Sequence, residues 1–115
     1  MHKNLLFFFS FLFALWLPNA YSNSVPKNQL NAIGNMGQLN AIALQCSYVK
    51  QMQNIKRVLI KVLPQKRELG EWFEHTTNET YMDFLSKKSS CPSNEQFKTQ
   101  LKQAIQTLEA VFKHD

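Results

Sequence analysis

The 115 residues carry 13 Lys and Arg against 8 Asp and Glu, a formal charge of +5, and only two cysteines. A chain of this length holds one small domain, near the lower end of what a single core stabilises. Its cysteines form no Cys-x-x-Cys, which excludes a thioredoxin-like redox motif, and no Cys or His pair lies at ligand spacing, which argues against zinc.

Met1 to Asn4 include one Lys, Leu5 to Leu17 form an uncharged apolar run, and Pro18 to Ser22 bring small residues. Basic start, short apolar core and small residues at the cut are the layout of a secretory signal, with Ala20 and Ser22 three and one positions before the scissile bond. A membrane span needs roughly 17–25 apolar residues, and this run has thirteen. The sequence therefore predicts a cleaved signal peptide over residues 1–22 and a mature domain over residues 23–115, periplasmic or secreted. That domain keeps 12 of the 13 basic residues and all 8 acidic ones, a formal charge of +4. Export argues against nucleic acid as the partner, and a modest positive charge suits an acidic protein, an anionic membrane surface or a cell-wall polymer. In an oxidising compartment the even cysteine count predicts a Cys46–Cys91 disulfide.

The mature chain reads as helical almost throughout. Leu30, Ile33, Gly37, Ala41, Leu44, Tyr48 and Met52 recur at steps of three and four, with Leu39, Ile42, Cys46 and Val49 forming a second stripe beside them. So wide an apolar face predicts a central helix running through to Met52. Gly34, Gly37, Ala41 and Ala43 thin one side of it and permit a close neighbour. A second segment spans Ile55 to Leu63, with Ile55, Val58, Leu59, Val62 and Leu63 inward, and Pro64 ends or bends it. The next helix runs from Gln65 to Lys87 and carries Leu69, Trp72, Phe73, Tyr81, Phe84 and Leu85. Thr76 to Glu79 matches a capping box, so a break at Thr76 is the alternative to one helix, and the continuous form is preferred. Ser93 and Gln96 give a second capping box ahead of a last helix with Phe97, Leu101, Ala104, Ile105, Leu108 and Phe112 on its core stripe. The expected fold is all-α, a small bundle of three to four helices closed by one disulfide. Trp72, Phe73, Phe84, Phe97, Leu101 and Leu108 are expected to be buried together.

Glu71, His75 and Glu79 lie at i, i+4 and i+8 on one helical face, the spacing of an acid–base or metal site. A lone His beside Glu on a polar face is more often a solvated ion pair, and no second His follows at ligand spacing. Both cysteines are committed to the bridge, the serines lack a Gly-x-Ser-x-Gly turn, and Gly34 to Gly37 lack the Lys and strand of a phosphate loop. Asn78-Glu79-Thr80 is a glycosylation sequon that has meaning only in a eukaryotic secreted protein, whereas the Asn-, Gln- and Lys-rich composition reads as bacterial. No catalytic residue, metal or cofactor is expected.

One basic run stands out: Lys56, Arg57, Lys61, Lys66 and Arg67, interleaved with Val58, Leu59, Ile60, Val62 and Leu63. A basic amphipathic helix docks an acidic partner or lies on a membrane, against the plainer reading of a core helix with a charged outer face. Ile60 falls outside the main apolar stripe, so the candidate contact set is Lys56, Arg57, Ile60, Lys61, Lys66 and Arg67.

The layout resembles two secreted classes. Periplasmic acid-stress chaperones are similar in being small, helical and stapled by one disulfide. Small periplasmic immunity proteins, which neutralise toxins delivered by rival bacteria, are similar in another way. Some pair a Cys and a following Tyr-hydrophobic step with a later Cys-Pro and a capped final helix. Cys46-Ser47-Tyr48-Val49 and Cys91-Pro92-Ser93 resemble that arrangement, without the glycines that usually surround the Tyr. These features lead to the expectation of an exported, non-enzymatic binding protein of the bacterial envelope that acts by protein–protein contact, as an inhibitor, immunity factor or envelope-assembly component. The alternatives are a chaperone-like or membrane-active stress protein and a small hydrolase or lytic factor.

Overall fold

The computed structural model describes residues 25–113, so the expected signal peptide lies outside the described residues. Four helices follow in order: α1 (Lys27–Gln45), α2 (Val49–Val62), α3 (Arg67–Ser86) and α4 (Asn94–Val111). The chain is an all-α bundle closed by the Cys46–Cys91 disulfide, whose Cα atoms are 5.8 Å apart.

The wide apolar face of α1 makes it the centre. Ala32, Ile33, Met36, Gly37, Leu39, Asn40, Ala41 and Ala43 are all buried, and α1 packs against each of the other three helices. Among the described helices α3 approaches α1 alone, whereas α2 also touches α4. The Trp72 indole N–H donates to the Leu30 carbonyl at 2.9 Å, and the Asn40 amide meets the Thr77 hydroxyl at 3.3 Å. Residue numbers rise together along this contact, so α1 and α3 run parallel. At one end of α1 Gln29 donates to the Val111 carbonyl, and at the other the disulfide joins Cys91, so α4 runs antiparallel to α1. The α2 and α4 helices start side by side, where the Gln51 amide donates to Asn94 Oδ1 at 3.1 Å.

The central helix stops earlier than its apolar stripe. Ser47 adopts φ 60°, and the Tyr48 N–H reaches back to the Ala43 carbonyl at 2.9 Å. This is a Schellman-type stop with serine where glycine is commoner. Tyr48 and Met52 therefore belong to the start of α2, which begins at Val49, ahead of Ile55. They still face the core, because the chain folds back onto the same interior. The stop also leaves Leu44 and Val49 exposed. At the end of α3 the same device recurs, with Lys88 at φ 50° and the Ser89 N–H on the Phe84 carbonyl at 3.1 Å.

The third helix is continuous. The Thr76 hydroxyl donates to the carbonyls of Trp72 and Phe73, both at 3.0 Å, so Thr76 sits inside the helix and caps nothing. At Ser93 the capping box is real: the Gln96 N–H donates to Ser93 Oγ and the Ser93 N–H to Gln96 Oε1.

The core holds Ile33, Met36, Ile55, Leu69, Phe97, Leu101 and Leu108, with Trp72 and Phe73 half-buried against it. Phe84 departs from expectation: it is half-buried and outside the core, and its neighbour Leu85 is exposed. Both lie on the far end of α3, which only α1 covers.

The α1–α3 crossing depends on Gly37. A Cβ there would lie 2.0 Å from Thr76 Oγ1 and 3.0 Å from the Phe73 carbonyl oxygen, whereas at Gly34 the nearest atoms are 3.6 and 3.7 Å away. Thr76 cannot yield cheaply, because its β-branched side chain is held by two carbonyls. Gly37→Ala should therefore force the helices apart and cost about 1–3 kcal/mol, the range for overpacking. Gly34→Ala should be neutral or gain up to about 1 kcal/mol, since alanine is the better helix former. Urea melts of the two variants check the contrast; equal effects would mean that the crossing is not close.

Candidate interaction surface

The residues of the basic run fall on exposed backbone. Lys56, Arg57 and Lys61 project from α2, Lys66 stands in the turn that follows, and Arg67 opens α3. That turn is tight, with the Lys66 N–H on the Pro64 carbonyl at 2.8 Å, so the basic run continues from α2 around its end. Among the described residues none of these five cations forms an ion pair; Lys87 pairs with Asp83, and His75 contacts Glu79. Ile60 is 83% exposed in their midst.

Helical spacing divides α2 into two outer stripes. Lys56 and Ile60 lie on one. Lys50, Asn54, Arg57 and Lys61, at steps of three and four, lie on the other, whose first two members border α4. A groove of about 580 Å³ separates the two helices, lined by Lys50, Gln51 and Asn54 from α2 and by Lys98, Leu101, Lys102, Ile105, Gln106 and Glu109 from α4. Leu101 is buried and Ile105 half-buried, so the floor is apolar and the lysine stems form its sides. Lys50, Lys98 and Lys102 are missing from the sequence-derived contact set. Lys98 and Lys102 are 48 and 52 positions beyond Lys50. Only the side-by-side start of α2 and α4 brings them together.

Charge is separated across the molecule. The α2 helix holds Lys50, Lys56, Arg57 and Lys61 and no acidic residue; α3 holds Glu68, Glu71, Glu74, Glu79 and Asp83 against Arg67 alone. Leaving His75 neutral, α2 carries +4 and α3 carries −4, yet the two helices do not pack together. Their charges therefore do not neutralise one another by contact, and each faces outward.

The spacing of Glu71, His75 and Glu79 produces a surface feature. His75 Nε2 lies 2.9 Å from Glu79 Oε1 with both side chains more than half exposed, and its ring stacks on Trp72 at 5.4 Å. Glu71 and His75 border a shallow hollow with Val25, Leu30, Glu68 and Trp72. Among the described residues no group of three or more His, Cys, Asp or Glu is placed to hold a metal, and no helix is long and apolar enough to cross a membrane. Compared with known protein families, characterised proteins and solved structures, the chain matches none significantly.

Proposed function

We propose that this is an exported, non-enzymatic binding protein of the bacterial envelope, of the inhibitor or immunity type, that works by covering the surface of an acidic partner protein with its α2 face. The observation that carries this reading is the unpaired +4 helix standing apart from the −4 helix, with Ile60 exposed among its cations. A partner with negative potential would meet this molecule in one orientation, α2 first and α3 away. Such complementarity acts mainly on the rate and specificity of encounter, while a central apolar contact supplies affinity. The disulfide suits an oxidising compartment, and the apolar start of the chain supports export.

The test is the double variant Arg57→Glu/Lys61→Glu. Both side chains are exposed and unpaired, so the helical signal and the melting curve should stay those of the parent. Association with the envelope partner should slow by roughly tenfold or more at low ionic strength and lose most of its salt dependence, since two attractive charges become repulsive. Pull-downs from the source envelope, parent and variant side by side, identify the partner, and stopped-flow association measures the rate. An unchanged partner profile and unchanged rates would retire the basic face.

A further inference from the structure

We propose that the groove between α2 and α4 seats an extended acidic segment of the partner, with an apolar side chain of that segment resting on Leu101 and Ile105 and carboxylates meeting Lys50, Lys98 and Lys102. The proposal rests on the reading of the α2 face as the contact surface and names what that surface holds. The three ammonium groups are free of ion pairs among the described residues and stand on both sides of one groove. All three are exposed and so open to complementary charge from outside.

The other lining groups narrow the ligand class. Leu101 and Ile105 give the groove an apolar floor, which a purely ionic ligand would leave in contact with water. Asn54 on α2 and Gln106 on α4 also line the groove and offer amide donors and acceptors. That alternation suits the N–H and C=O groups of a polypeptide backbone. Glu109 lies in the same wall and repels a uniformly anionic polymer passing along the groove. The volume of about 580 Å³ falls in the range of pockets that take a ligand of a few residues. An acidic polypeptide carrying an apolar anchor suits the lysines, the apolar floor and the amides together. A polyphosphate or an acidic glycan meets the lysines and leaves the apolar floor uncovered.

The experiment uses the disulfide-intact mature protein, labelled with ¹⁵N, and a blocked hexapeptide of sequence Glu-Asp-Leu-Phe-Glu-Asp as probe. Its companions are the same peptide with serine in place of Leu and Phe, and inorganic polyphosphate. Titration should move the amide signals of Lys50, Lys98, Leu101, Lys102 and Ile105. The shifts should weaken with salt, and Lys98→Glu/Lys102→Glu should reduce affinity by at least tenfold. The serine peptide should bind at least several-fold more weakly. Three results overturn the groove: shifts confined to Lys56, Arg57 and Lys61 with Ile105 unmoved, equal binding of the serine peptide, or no saturable binding of either peptide. Polyphosphate binding more tightly at the same residues would also overturn it and would assign the groove to polyanions. The two readings fail separately. Capture of the native partner that survives Lys98→Glu/Lys102→Glu but is lost in Arg57→Glu/Lys61→Glu leaves the basic face standing without the groove. Survival in both variants removes the basic face as well.

Discussion

Replacing Cys46 and Cys91 together by alanine is expected to lower stability by about 4 kcal/mol. The bridge closes a loop with a sequence separation of 45. The chain-entropy relation for a loop of that length gives about 4 kcal/mol, through loss of freedom in the unfolded chain. A small domain has only about 5–15 kcal/mol in total, so this is a large share. The truncation itself removes little packing, because Cys91 is exposed and Cys46 only half-buried. The hydrogen bond from the Tyr48 hydroxyl to the Pro92 carbonyl and the Gln51–Asn94 contact also span this junction, and neither involves a cysteine side chain. Urea denaturation of the double variant against the oxidised parent measures the loss. A loss below about 1 kcal/mol would show that the unfolded chain already holds the two ends together. Protein taken from its native compartment and alkylated without reduction should carry no labelled thiol by mass spectrometry; two labels would contradict both the bridge and export.

Amphipathic spacing made some elements readable before others. In α4 the Ser93–Gln96 box and the Phe97, Leu101, Leu108 stripe point to one start and one inward face, and the structure has both. In α1 the apolar face was legible, and with it the central position, but its end was not. Nothing in Cys46-Ser47-Tyr48 signals a stop, because Ser47 adopts a left-handed φ that glycine usually takes. The stripe also continues across the break, since Tyr48 and Met52 fold back onto the core that Ile33 faces. Periodicity alone could not place Phe84, Leu85 and Leu44. It identifies a face without showing how far the neighbouring helix extends, and at this end of α3 only α1 provides cover. Thr76 to Glu79 shows the converse error: the capping-box pattern is present, but the hydroxyl is satisfied by carbonyls one turn back.

The candidate site was legible in half. The α2 cations are adjacent in sequence and could be seen as a basic face. Lys98 and Lys102 carry an i, i+4 spacing that reads equally as a solvated exterior. Their relation to Lys50 exists only because the disulfide and the Tyr48–Pro92 contact hold the starts of α2 and α4 together. Charge separation was countable from the sequence, +4 on one helix and −4 on the next. That the two helices stay apart is a property of the fold, in which α3 packs on α1 across Gly37 and not on α2.

Phe97→Ala should cost about 3–5 kcal/mol, the range for emptying an aromatic core position. Phe97 is fully buried, sits one turn inside the Ser93 cap, and its ring lies 5.2 Å from that of Tyr48. It therefore fills the space at which α1, α2 and α4 converge, close to the bridge. Phe84→Ala, at a half-buried position outside the core, provides the comparison and should lose much less. Urea melts of both variants settle the order, and a loss below about 1 kcal/mol for Phe97→Ala would mean that its stripe does not face the core. The Phe97 and disulfide effects should not add. Tyr48 is two residues from Cys46 and packs on Phe97, so removing the bridge frees the partner that the phenylalanine packs against. Residues sharing a partner in this way couple by about 0.5–3 kcal/mol. A double-mutant cycle over Phe97→Ala and the Cys46→Ala/Cys91→Ala pair should therefore show coupling of that size. A sum additive to within about 0.3–0.5 kcal/mol would mean that the aromatic contact and the disulfide hold the α4 start independently.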